Sequence, residues 1–140
     1  MGRKGDHMRI TDLLDKNSIC LDASPADKTE ALNQIVSLMG KSGKINDIEA
    51  YRKQVFLREE ESTTGIGEGI AIPHGKCDAV TKPGLAAMVV KDGVDFDSLD
   101  GEPVTLLFLI AAPNTEDNVH LDVLSKFCLL YTSDAADDKA

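Results

Sequence analysis

Val104-Thr105-Leu106-Leu107-Phe108-Leu109-Ile110-Ala111-Ala112, closed by Pro113, is the stretch that decides the fold. Its only polar side chain is Thr105, so it lacks the alternation of a strand with one wet face. Such a run reads as a strand buried on both faces, at the centre of a sheet flanked by helices. It is the longest apolar run in the chain and falls far short of the ~20 residues of a membrane span. Leu85 to Val90 has the same character and reads as a second central strand.

The stretches before these strands carry helical spacing. Asp27 followed by Glu30 resembles a capping box. Ala31, Leu32, Ile35, Leu38 and Met39 then recur on one face, with Gly40 and Gly43 as stop signals. Asn46 with Glu49 predicts the start of a second helix, with Ile48, Tyr51, Val55 and Phe56 on its apolar face. Ile19-Cys20-Leu21 reads as an edge or initial strand and Ile70-Ala71-Ile72 as another. Asp92-Gly93 and Asp100-Gly101 mark turns. Past Pro113, Asp117 caps an expected last helix bearing Val119, Val123, Leu124 and Phe127. Helices interleaved with strands, without repeat or linker, predict an α/β fold in one domain.

The chain has 140 residues, 42% of them apolar and 28% charged, which fits one globular core. A net charge of −9 and a pI of about 4.7 disfavour nucleic acid and favour a basic protein partner. Cys20, Cys77 and Cys128 have no paired spacing, which argues against a disulfide framework or a zinc site and for a reducing cytoplasm. No secretory leader is read at the start. His7-Met8 is what a common cloning site encodes, so residues 1–7 read as a foreign leader. Residues 8–130 read as the domain, and 131–140 as an atypical polar tail.

Chemistry gathers around His74. Pro73 fixes its own φ and restricts Ile72, while Gly75 lets the chain turn away, so the imidazole is expected at a strand end beside a loop. That loop, Ser62 to Gly69, has three glycines, Gly65, Gly67 and Gly69, and cannot continue the preceding helix. A phosphoryl acceptor needs a neutral imidazole nitrogen and donors for three oxygens. Arg58 supplies a planar charged fork, and the loop supplies backbone N–H groups and threonine hydroxyls, with Thr64 and Gly65 as candidate phosphate-binding residues. His120, in the first turn of the expected last helix, is a candidate for one more hydrogen bond. Taken singly, each reads as well otherwise: a turn histidine, a solvated arginine, a helix-cap histidine.

The stretch Arg58-Glu59-Glu60-Glu61-Ser62-Thr63-Thr64-Gly65-Ile66-Gly67-Glu68-Gly69-Ile70-Ala71-Ile72-Pro73-His74-Gly75-Lys76 resembles the signature of fructose/mannitol-type enzyme IIA domains of the bacterial phosphoenolpyruvate-dependent sugar phosphotransferase system. Ile10-Thr11-Asp12-Leu13-Leu14, Asp95 to Gly101 with Pro103, and Ala111-Ala112-Pro113 followed by Asn118-Val119-His120-Leu121 are similar too. The resemblance covers about Met8 to Leu130 and implies a mixed sheet flanked by helices. It implies that His74 takes phosphate from the histidine-containing phosphocarrier protein and donates it to an enzyme IIB cysteine. Arg58 and His120 then serve the phosphoryl group, the fructose branch is favoured, and no metal or organic cofactor is required. A membrane permease is involved only indirectly, and the chain is expected to be either a standalone protein or a piece of a larger permease. Such domains usually continue past Leu130 with a longer apolar helix, where this chain turns polar. Two other readings stay open: a nitrogen-type regulatory IIA protein, and a phosphate-binding module without catalysis.

Overall fold

Asp27 opens the first helix as its spacing predicts. Its carboxylate accepts the Glu30 N–H at 2.9 Å, and the Glu30 side chain reaches back to the Ala26 N–H. The computed structural model describes residues 14–114 of the chain. In them run β1 (Leu14–Ala23), α1 (Lys28–Gly40), α2 (Ile48–Glu61), β2 (Gly65–Gly67), β3 (Ile70–Ala71), β4 (His74–Cys77), β5 (Gly84–Val94) and β6 (Val104–Pro113). The N-cap of α2 is Asp47 and not Asn46: the Asp47 carboxylate accepts the Ala50 N–H, while the Asn46 N–H is drawn to the Ala79 carbonyl. A cap of this kind is worth about 1 kcal/mol.

The sheet is mixed and orders its strands β1-β5-β6-β3-β2, with β4 also on β6. β5 and β6 are antiparallel, β1 runs parallel to β5, and β3 and β4 run parallel to β6. The two apolar runs therefore occupy the centre, as expected, and β1 lies at the edge of the described sheet. Alternate side chains explain why neither run alternates in polarity. Ala86, Met88, Leu107, Leu109 and Ala111 join Leu32, Ile35, Val36, Met39, Tyr51 and Val55 in the core beneath the helices. On the opposite face Leu85, Ala87, Phe108, Ile110 and Ile72 form a second buried cluster.

Two sequence expectations are corrected. Asp92-Gly93 is not a turn between strands but a bulge inside β5, because Val89 pairs with Leu106 and Val94 with Val104. Gly93 takes a φ of 80°, which relieves the extra length at no steric cost. The glycine-rich segment is also more ordered than a plain loop. β2 pairs antiparallel with β3, and the tip residues Glu68 and Gly69 have φ of 57° and 79°. Positive φ at both central positions is what a type I′ hairpin demands. The expected helix from Asp117, and the boundaries set at residues 7, 8, 130 and 131, lie outside the described residues.

Candidate active site

β3 and β4 are two halves of one interrupted strand. Ile70 pairs with Leu106 and His74 with Ile110, so the same register carries across the gap. The gap is Ile72-Pro73. Ile72 sends its N–H to the Thr64 carbonyl at 3.0 Å, and Pro73 has no N–H to send. The Pro73 carbonyl accepts the Ile110 N–H, which brings the chain back onto β6. His74 thus opens the second half of the strand and does not follow its end, a small correction to the sequence reading.

The interruption leaves the Ile72 carbonyl facing the imidazole, with His74 Nδ1 at 3.2 Å from it. A carbonyl only accepts, so Nδ1 carries the proton and the lone pair of the neutral ring lies on Nε2. Burial pushes the His74 pKa below its ordinary value. The Ile72 bond opposes that shift, the Arg58 charge adds to it, and Glu59 and Glu61 oppose it more weakly. The net direction is downward, so the ring is neutral and nucleophilic near pH 7.

α2 packs over β4 at short range because Gly75 has no side chain. A Cβ there would lie 2.9 Å from both Tyr51 Cε1 and Val55 Cγ2. Tyr51 also donates its hydroxyl to the Ile110 carbonyl at 2.7 Å, beside the register position of His74. The result is an open depression of about 650 Å³, to which α2 gives Leu57, Arg58, Glu60 and Glu61 and β4 gives His74 and Lys76. Arg58 Nη1 donates to the Ser62 carbonyl at 3.0 Å, which closes the last turn of α2 and sets the guanidinium at the depression's wall. A neutral imidazole with a free Nε2 lone pair, next to a fixed guanidinium, has the parts for accepting a phosphoryl group and steadying its oxygens.

Thr64 and Gly65 are not brought to this depression. Thr64 is buried, and both its N–H and its hydroxyl donate to the Glu59 carboxylate, at 2.8 and 2.6 Å. The Gly65 N–H goes to the Thr63 hydroxyl, and its carbonyl accepts from Leu99. The expectation that they bind phosphate is therefore corrected: their donors are committed to the hairpin itself. Glu59 is the residue that sequence reasoning missed, since a glutamate at a charged helix end is normally solvated. The available signal was a carboxylate five residues before a threonine that begins a glycine turn. His120 lies outside the described residues. Among the described residues no group of three or more His, Cys, Asp or Glu is placed to hold a metal ion, and no helix is long and apolar enough to cross a membrane.

The chain matches the family model described as "Phosphoenolpyruvate-dependent sugar phosphotransferase system, EIIA 2" over residues 12–138. It is 46% identical over 123 residues to the PTS system fructose-specific EIIABC component of Bacillus subtilis, covering 88% of this chain but only 19% of that protein. It is 41% identical over 107 residues to the PTS system fructose-specific EIIA component of Haloferax volcanii, covering 76% of this chain and 70% of that one. Among solved structures, nitrogen regulatory protein IIA-Ntr from Neisseria meningitidis superposes with a TM-score of 0.75 at 31% identity, covering 82% of this chain and 78% of that one. The complex of enzyme IIA-mannitol with phosphorylated enzyme IIB-mannitol from Escherichia coli gives 0.70 at 29% identity, with 83% and 81% covered. Family and fold agree: the chain belongs to the EIIA 2 family of the phosphoenolpyruvate-dependent sugar phosphotransferase system, as a phosphotransferase component of the fructose/mannitol type that works through a phosphohistidine.

Proposed function

We propose that His74 is the phosphoryl carrier, receiving the group from the histidine-containing phosphocarrier protein and passing it to a cysteine of an enzyme IIB domain in the cytoplasm. The observation that carries this reading is the Nδ1–H bond from His74 to the Ile72 carbonyl, which leaves Nε2 as the attacking atom. In the first transfer the Nε2 lone pair forms a bond to phosphorus while the donor's N–P bond breaks. The electron pair of that broken bond returns to the donor imidazole. In the second, the IIB thiolate attacks phosphorus and the pair returns to Nε2. Arg58 neutralises the phosphoryl oxygens in both steps. His120 is proposed as a second hydrogen-bond donor to them.

A fructose-specific system is proposed because relatives with that description match at 46% and 41% identity. A permease enters only through the IIB domain. The likeness to nitrogen regulatory protein IIA-Ntr supports a second reading, in which the same phosphohistidine regulates partners and feeds no sugar. The phosphorylated chain would then pass nothing to a fructose-type IIB domain.

Incubation with phosphoenolpyruvate, enzyme I and the phosphocarrier, followed by intact mass, tests the carrier role. One acid-labile phosphate is expected on the wild type and none on His74→Ala. A mutant that still gains it would move the nucleophile elsewhere.

A further inference from the structure

Glu59 follows Arg58 in α2, yet the two side chains have opposite surroundings. Arg58 is half-buried at the depression, whereas Glu59 is only 8% exposed. Burying a carboxylate is costly unless charge and lone pairs are both answered. Here they are. Lys28 Nζ, from the first turn of α1, stands 2.9 Å from Glu59 Oε2 and also over the Phe96 ring, 4.8 Å from its centroid. The Thr64 N–H meets Oε2 and the Thr64 hydroxyl meets Oε1.

The hydrogen bonding continues from Thr64 to the reacting ring. The Thr64 carbonyl accepts the Ile72 N–H, and the Ile72 carbonyl accepts His74 Nδ1–H. A single carboxylate therefore ties the end of α2, which carries Arg58, to the hairpin that holds Ile72 in place. Thr63 fastens the same turn from the other side, donating to the Phe96 carbonyl at 2.8 Å.

We propose that Glu59 is a positioning residue for phosphoryl acceptance: through Thr64 and Ile72 it fixes which imidazole nitrogen of His74 is free to attack. The inference rests on His74 being the carrier. Glu59→Gln is nearly isosteric but removes the charge that answers Lys28. With the amide nitrogen at the Oε2 position donor meets donor, and with it at the Oε1 position the Thr64 hydroxyl must turn round to accept. With the clamp loosened, the proton at His74 is no longer held on Nδ1 and can occupy Nε2, which blocks attack.

The experiment compares wild type, Glu59→Gln, Thr64→Val and Thr64→Ser by two readouts. One is the His74 tautomer from ¹⁵N NMR of histidine-labelled protein, with His74→Ala giving the assignment. The other is the single-turnover rate of acceptance from the phosphorylated phosphocarrier. Glu59→Gln is expected to lose the predominance of the Nδ1–H form and to accept ~10–100-fold more slowly, the scale for slight misplacement of a reacting group. Thr64→Val should move both readouts in the same direction by less, and Thr64→Ser, which keeps the hydroxyl, should match wild type. A purely structural role would lower the urea midpoint of Glu59→Gln while leaving tautomer and rate as in wild type, and that result overturns the proposal. If Glu59→Gln does not fold, Thr64→Val decides by the same two readouts. If wild type takes up no phosphate, the carrier reading fails, while the tautomer comparison still decides the role of Glu59.

Discussion

His74 and Arg58 are neighbours in space although sixteen residues separate them in sequence, and their electrostatic coupling has a readable sign. Burial first, then the Arg58 charge, lowers the His74 pKa, while Glu59 and Glu61 raise it. Because only the neutral ring attacks, acceptance plotted against pH should have its midpoint below 6.5, the ordinary histidine value. The sign also sets the stability dependence. The unfolded chain takes up this proton at higher pH than the folded one, so the group's contribution is intact above about 6.5 and is lost as pH falls through the folded value. Arg58→Gln removes a lowering charge and should shift the midpoint upward, and Glu61→Gln should shift it downward. Acceptance should also slow in Arg58→Gln, and less in Arg58→Lys, which keeps the charge without the planar fork. Equal midpoints in wild type and both Gln variants would detach these residues from the ring. The conjunction of Pro73, His74 and Gly75 made the histidine legible from sequence. Glu59 was not, because a glutamate at a charged helix end is normally solvated, and only the fold reveals Lys28 arriving from another helix to neutralise it.

Among the secondary-structure elements, α2 against β4 is the contact on which the site depends. Gly75 is not there for a turn, as its sequence context implies, but to admit the helix. Gly75→Ala would place a methyl 2.9 Å from both Tyr51 and Val55, so the helix must lift or the strand must bend. Overpacking of this kind costs about 1–3 kcal/mol. The movement should be felt at Arg58, which rides on the same helix, so acceptance should slow more than global stability falls. A lower urea midpoint with an unchanged transfer rate would mean that the helix–strand distance does not set the site. Both helices were legible from their 3.6-residue periodicity, and α1 also from its Asp27 cap, whereas the cap of α2 falls on Asp47, one residue past the Asn46 that the sequence suggests. β2, β4 and the β5 bulge were not. Gly65-Ile66-Gly67 has no apolar alternation, His74-Gly75-Lys76-Cys77 is held by its register with β6, and Asp92-Gly93 has the composition of a turn. Tertiary pairing, not local propensity, makes them strands.

The whole molecule carries a net charge of −9, and the depression around His74 adds a local pattern to it. From sequence alone, Ile66 and Ile70 near the glycine loop suggest an apolar patch beside His74, ringed by Glu59, Glu60, Glu61 and Glu68. The structure gives a different patch. Ile70 packs against the buried second cluster and Glu59 is internal, whereas Leu57 is 44% exposed and lines the depression with Glu60 and Glu61. A shuttle has to meet its donor quickly and release it quickly, which favours long-range charge attraction over a large apolar interface. Glu60 and Glu61 are suited to steer a basic donor toward His74, with Leu57 supplying a small dry contact. Screening should then slow the encounter, because the Debye length falls from about 10 Å at 0.1 M salt to about 3 Å at 1 M. Stopped-flow phosphoryl transfer from the phosphocarrier should therefore show a second-order rate that declines steadily over that range. Replacing Glu60 and Glu61 together by glutamine should flatten the slope and lower the rate most at low salt, while Leu57→Ala should weaken the encounter without changing the slope. The same slope in wild type and in the doubly neutralised variant would assign the steering to the chain's overall charge and not to the rim of the depression.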